Sequence, residues 1–315
     1  MERVRGTHQL GRALREPVLT IGNFDGLHTG HRAIMERVVE RATQRGGEAV
    51  VYTFDPHPRV ILQPAQAPPM LMSLDQKLES LEEMGVDVAI VEPFDRKFAS
   101  VSPKVFVEEF IHGRIRPREV YVGYDFHFGR DREGSMRLLT DTGPRLGFSV
   151  TIVPEITVGG RDVNSTRIRE LVSKGEVEEA ESLLGHPFAV RGEVVHGDHR
   201  GRELGFPTAN IDSPNEVLPS PGVYTGQVRF LDGGEGSGSM HPAVTNVGVR
   251  PTFDRGQAVV IEAHLLDFEG DLYGRRIEFG FGERLRSEQR FDGVDELRAQ
   301  IGRDLDEGRR RLGIG

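Results

Sequence analysis

The 315-residue chain contains no cysteine. A disulfide framework, a thiolate zinc site and a cysteine nucleophile are therefore excluded, and the composition fits a reducing compartment. Long apolar runs are missing too. None approaches the ~18 residues a membrane span requires, and the start MERVRGTHQLGRALREP lacks the apolar core of a signal peptide, so a cytoplasmic protein is the expectation. Positive charge is in deficit, with 40 Lys and Arg against 49 Asp and Glu and a formal net charge of -9. That balance argues against broad binding to nucleic acid or anionic membranes. An anionic ligand has to be met by a local concentration of positive groups. No internal repeat of about 20 to 50 residues is visible, which removes the solenoids.

What is present falls into two textures. The first half alternates apolar runs with amphipathic stretches: VLTIGNF, a helix from about Thr29, AVVYTF, a helix from Ser73, VDVAIVEPF, a helix from Ser102, then EVYVGYDF. Such alternation implies an α/β domain with a mainly parallel sheet. Ser73 with Gln76 forms a capping box, and Ser102 before Pro103 is an N-cap with proline at the first helical position. FSVTIVPEI and the helix-like STRIRELVSKG complete this half. After LLGHP the chain becomes short apolar alternations broken by glycine and proline, which suggests an antiparallel barrel or sandwich. GGEGSGS reads as a hairpin tip inside it. The end places Val294, Leu297, Ile301 and Leu305 on one helical stripe, predicting a closing amphipathic helix. Two domains are expected, residues 1–186 and 187–315.

Ligands of a parallel α/β sheet gather where strands end and helices begin. The stretch GNFDGLHTGH lies at such a turn, with His28 and His31 around Gly30 and with Gly22 and Gly26 opening the backbone. Zinc binding, a purely structural pair and an anion site all remain open for these imidazoles. An unpaired helix start with nearby glycines favours phosphate, to which imidazoles donate hydrogen bonds. The second half carries HGDHRGRELGFPTAN, whose glycines Gly197, Gly201 and Gly205 can expose backbone N–H groups to phosphate oxygens. In AVVIEAHLLDF, Glu262 is a carboxylate within an otherwise apolar strand, on the face of Val260 and His264. It is either an exposed surface acid or a base for a hydroxyl nucleophile.

These motifs together resemble a known family. HxGH after a first strand looks like the nucleotidyltransferase superfamily, and the whole run Gly22, Asn23, Phe24, Asp25 through Gly30 and His31 resembles the FMN adenylyltransferase module of bacterial FAD synthetases. NSTRIRE resembles that superfamily's SSTxIR element, with Asn164 where serine is usual. TFDPHPR and GYDFHFG also resemble the family, with His127 at a position where arginine is expected. PTAN resembles the riboflavin kinase signature, as do LPSPGVYTG, NVGVRPTF, DFEGDLYGRRI and LRSEQRF, and His199 stands where a small or basic residue is expected.

The resemblance covers nearly the whole chain, to the family of bacterial bifunctional riboflavin kinase/FMN adenylyltransferases. It implies a Rossmann-like HxGH domain followed by a β-barrel kinase domain with a C-terminal helix. It further implies ATP, Mg²⁺ and the flavins riboflavin, FMN and FAD as substrates, cofactor and products. By the same resemblance His28, His31 and Arg169 stabilise the transferring phosphates, with Ser165, Thr166 and Arg167 in a second phosphate-binding jaw. His57 and Pro58 lie near the flavin, and Asp125 near the nucleotide or flavin. Thr208 and Asn210 hold the magnesium of bound ATP, Glu262 is the kinase base, and Arg286 reaches flavin or phosphate. A flavin carrier, or an enzyme with one decayed site, is the alternative.

Overall fold

The computed structural model describes residues 1–130, 133–197, 201, 204–233, 238–252 and 256–314, with backbone alone at 250–252 and 256–258. His199 and the middle of the GGEGSGS tip lie outside the described residues. The chain divides into two compact units, Met1–Asn164 and Ser165–Gly315.

The first unit is a six-stranded sheet. Its strands are β1 (Glu2–Arg5), β2 (Val18–Ile21), β3 (Ala49–Asp55), β4 (Val88–Pro93), β5 (Glu119–Gly123) and β6 (Ser149–Val153), in the order β1-β4-β3-β2-β5-β6. Every pairing is parallel. The central strands are buried on both faces, which is why they read as unbroken Val/Ile/Leu runs. Leu19, Ile21, Val50 and Tyr52 face one core, while Val18, Ala49 and Val51 face helices on the other side. Those helices include α1 (Thr29–Arg45) and α2 (Leu74–Glu83). The Ser73–Gln76 capping box is present with both of its hydrogen bonds, and Ser102 accepts from Val105 N–H at 3.3 Å. The helix after Ser102 opens into a π-helix over Phe106–Ile115. A further helix, α3 (Met136–Leu146), precedes β6.

The strand order reverses at β2. From there one connection leads to β3 and β4, and the chain then returns to lay β5 on the opposite side. The ends of β2 and β5 thus flank a topological switch point, where ligands of such sheets bind.

The second unit opens with α4 (Ser165–Lys174) and α5 (Val177–Leu184). A closed barrel follows: β7 (Ala189–Val195), β8 (Ala209–Asp212), β9 (Gly222–Phe230), β10 (Met240–Thr252), β11 (Gly256–Leu265) and β12 (Arg276–Ser287), in the order β7-β8-β11-β10-β9-β12, with β12 pairing back to β7. All its pairings are antiparallel. Between the two architectures left open by alternation, the chain adopts the barrel. Helix α6 (Val294–Arg311) covers part of its outer face, where Leu305 and Ile301 pack on Val223 and Val244. The expected helical stripe holds for those residues but not for Val294, which is 65% exposed because the first turn of α6 stands clear of the barrel.

Helices α4 and α5 belong to the compact unit of the barrel. Arg284 on β12 donates to Lys174 O at the end of α4 and to Pro221 O. A Cβ on Gly175 would come within 2.5 Å of the hydroxyls of Ser220 and Tyr224. The contact boundary at residue 164 therefore differs from the one read at residue 186.

Candidate active sites

In the first unit, β2 ends in a tight turn whose conformation explains the sequence. Phe24, Gly26 and Leu27 all have positive φ, at 50°, 82° and 41°. Two of these are not glycine, and such backbone costs on the order of 1 kcal/mol each, so the surroundings must over-determine it. They do so with several contacts. The Asn23 carbonyl accepts from Lys77 Nζ at 2.7 Å and from the Thr53 hydroxyl at 3.4 Å. Both oxygens of Asp25, 3% exposed, accept from Leu71 N–H at 3.1 and 3.2 Å. Phe24 folds its ring back over Gly22, where a Cβ would lie 2.8 Å from it, and meets His31 edge-on at 5.3 Å.

His28 then ends the turn and starts the helix. Its Nδ1 accepts from His31 N–H at 3.3 Å, so this imidazole is the N-cap of α1. With Nδ1 accepting, the ring proton of His28 sits on Nε2, which gives that nitrogen donor character. The rings of His28 and His31 stack at 3.6 Å between centroids and 18° between planes. A Cβ on Gly30 would press on the His28 ring at 3.2 Å, which is why that position is glycine. Burial, then the proximity of His28 and Lys77, holds His31 well below the usual imidazole range. The pair stands at a helix N-terminus beside the buried Lys77, with His31 held neutral.

The other first-unit candidates follow neighbouring strands. His57, after β3, caps the short helix Pro58–Leu62 by accepting from Arg59 N–H at 3.2 Å. Asp125, after β5, is exposed and folds over Gly123, whose Cβ would lie 3.3 Å from its carboxylate. His127 turns its Nδ1–H back onto Asp125 O at 2.8 Å. The structure thus brings His28, His31, Gly22, Asn23, Phe24, Asp25 and Gly30 into one turn and sets His57, Pro58 and Asp125 at the same edge of the sheet.

Ser165, Thr166 and Arg169 lie on the first turns of α4, in the second unit. Arg167 pairs with Glu179 of α5 at 3.4 Å, which ties it to the neighbouring helix.

In the barrel, register assembles what the sequence left scattered. Directly opposed residues run Val195, Asn210, Glu262, Asn246, Val223, Arg286 across β7, β8, β11, β10, β9 and β12. Opposed residues share a face. Their chain neighbours Ala209, Ile211, Ile261, Ala263, Thr245 and Val247 are at most 6% exposed and fill the barrel, so the row faces outward. Gly197 lies against the Asn210 amide so closely that any Cβ would overlap it, and a Cβ on Gly201 would lie 3.0 Å from Thr208 Oγ1. Gly205 has φ +89° in the same loop. His264, two residues from Glu262, donates from Nδ1 to Pro207 O at 2.7 Å and so pins the PTAN turn.

Arg286 is at the far end of this row but is engaged there. It forks Asp304 of α6 at 2.6 to 3.0 Å, and Gln300 donates to the same carboxylate at 2.7 Å. Through that carboxylate it docks α6. Sequence reading missed Lys77 and Asn246. Lys77 falls on a helix whose charges all look like surface, and Asn246 becomes meaningful only through its register with Glu262.

The family described as FAD synthetase matches residues 11–167, and that described as riboflavin kinase matches residues 184–312. Bifunctional riboflavin kinase/FMN adenylyltransferase of Escherichia coli strain K12 is 43% identical over 305 residues, covering 96% of each chain. The Haemophilus influenzae protein of the same description is 37% identical, covering 97% of each. A crystal structure from Streptococcus pneumoniae described as a macrolide-efflux protein superposes with a TM-score of 0.85 at 29% identity, covering 98% of this chain and 99% of that one. Among the described residues no helix is long and apolar enough to cross a membrane. The chain belongs to the family of bifunctional riboflavin kinase/FMN adenylyltransferases.

Proposed function

We propose that the two sites divide the family's chemistry between them as follows. The protein is a riboflavin kinase and an FMN adenylyltransferase, acting on riboflavin, FMN and ATP. In the kinase, Glu262 takes the proton of the ribityl 5′-hydroxyl as that oxygen attacks the γ-phosphate of ATP. Thr208 Oγ1 and Asn210 Oδ1 would hold Mg²⁺. Two neutral oxygens two residues apart on one face, backed by a loop without side chains at Gly197 and Gly201, suit an ion that takes its remaining ligands from phosphates and water. Held there, the ion would neutralise phosphate charge. Gly205 belongs to the same phosphate loop. The row joining Asn210 to Glu262 is the observation that carries this assignment.

In the adenylyltransferase, the FMN phosphate attacks the α-phosphorus of ATP and pyrophosphate leaves. His28 Nε2–H, His31 and the first amides of α1 stabilise the charge that gathers on the leaving group. Ser165, Thr166 and Arg169 keep the phosphate-binding role that their motif implies. His57 and Pro58 are assigned to the flavin end and Asp125 to the nucleotide or flavin. We place the functional boundary at 186/187 and the enzyme in the cytoplasm.

The test is to incubate the protein with riboflavin, ATP and Mg²⁺ and separate FMN from FAD. His28→Ala is expected to accumulate FMN and make no FAD. Glu262→Ala is expected to form no FMN from riboflavin yet convert supplied FMN to FAD. Loss of both activities in either variant contradicts the division.

A further inference from the structure

Lys77 lies on α2, outside every motif, yet it is 8% exposed, and a lysine is seldom so buried without a task. Burial lowers its pKa below the ordinary lysine value, with Asp25 and Asp55 opposing that effect. Its ammonium donates to Asn23 O at 2.7 Å, at the mouth of the turn whose positive-φ residues set the angle between β2 and α1. It is also close enough to His31 to disfavour a second positive charge there. Two effects converge on this one atom. The hydrogen bond fixes the strained backbone that leads into His28, and the charge offsets the buried Asp25 carboxylate, which would otherwise repel an approaching phosphate.

We propose that Lys77 is a positioning residue for adenylyl transfer: its buried ammonium holds the Asn23–Leu27 turn so that the stacked imidazoles and the first amides of α1 meet the phosphates of ATP. The inference rests on the assignment of this site to the adenylyltransferase. It concerns ATP more than flavin, because the clamped turn leads into the helix start.

The test uses the full chain with Lys77→Met and Lys77→Arg, measuring FMN to FAD for kcat and for KM of ATP and of FMN separately. Riboflavin phosphorylation and the thermal unfolding midpoint are measured on the same samples. Removing a hydrogen bond to a charged group predicts a roughly 10- to 100-fold loss in kcat/KM for ATP in Lys77→Met. KM for FMN should change less than about two-fold and FMN formation from riboflavin should be retained, while Lys77→Arg recovers most of the loss. The proposal is overturned if Lys77→Met turns over as the parent does. It is equally overturned if both variants lose affinity for FMN and ATP alike with a lowered unfolding midpoint, which marks a packing role. A parent protein that forms no FAD from FMN overturns the site assignment itself, and the inference with it.

Discussion

At the scale of single residues, the turn after β2 stacks two imidazoles face to face and keeps one of them, His31, uncharged. Burial comes first and the proximity of His28 and Lys77 second. A histidine with a depressed folded pKa binds its proton more readily when unfolded. Stability is therefore full above the unfolded value of 6.5 and falls as pH drops below it toward the folded pKa. Thermal unfolding measured between pH 7 and pH 5 should show this as a slope that is steeper in the parent than in His31→Gln. Equal slopes would mean that His31 is not held neutral. The imidazole pair was visible in the sequence from its spacing around Gly30. Lys77 was not, because burial of a lysine is decided by which helix face meets the sheet, and a polar-looking stretch such as LDQKLESLEE does not announce that one of its cations turns inward.

At the scale of elements, alternation and capping residues fixed most of what was expected. The strands other than β1 and β8, and α1, α2, α4 and α6, lie where periodicity placed them, while β8 was read as the end of the glycine-rich loop. β1 escaped notice because an edge strand with only Val4 buried has no apolar run. Alternation could not tell a barrel from a sandwich, since closure depends on β12 pairing with β7, some ninety residues earlier. Nor could it put Asn246 beside Glu262. That neighbour provides a test of the base: Asn246→Asp sets a second carboxylate opposite Glu262 and disfavours its ionised form. A base must be ionised to act, so the acid limb of the pH profile for FMN formation should move to higher pH. An unmoved limb would argue that Glu262 is not the group being titrated.

At the scale of the whole molecule, the contact boundary at residue 164 makes a claim about which pieces stand alone. Val177, Ala180, Leu183 and Leu184 of α5 are buried within the barrel's unit, and Arg284 reaches back to Lys174 O. A fragment of residues 165–315 should therefore retain riboflavin kinase activity. A fragment of residues 187–315 should be destabilised by about 5 kcal/mol or more, given the apolar area that loses its cover. Thermal unfolding and FMN formation by the two fragments check this, and equal stability would show that α4 and α5 are passengers on the barrel.

Ring closure also sets a timetable for the nascent polypeptide. The parallel sheet has its last strand by Val153, whereas the barrel cannot close until Arg276–Ser287 has left the ribosome to pair with Ala189–Glu193. Since domains fold as units as they emerge, the half that consumes FMN matures before the half that makes it. The order of assembly is the reverse of the order of reaction.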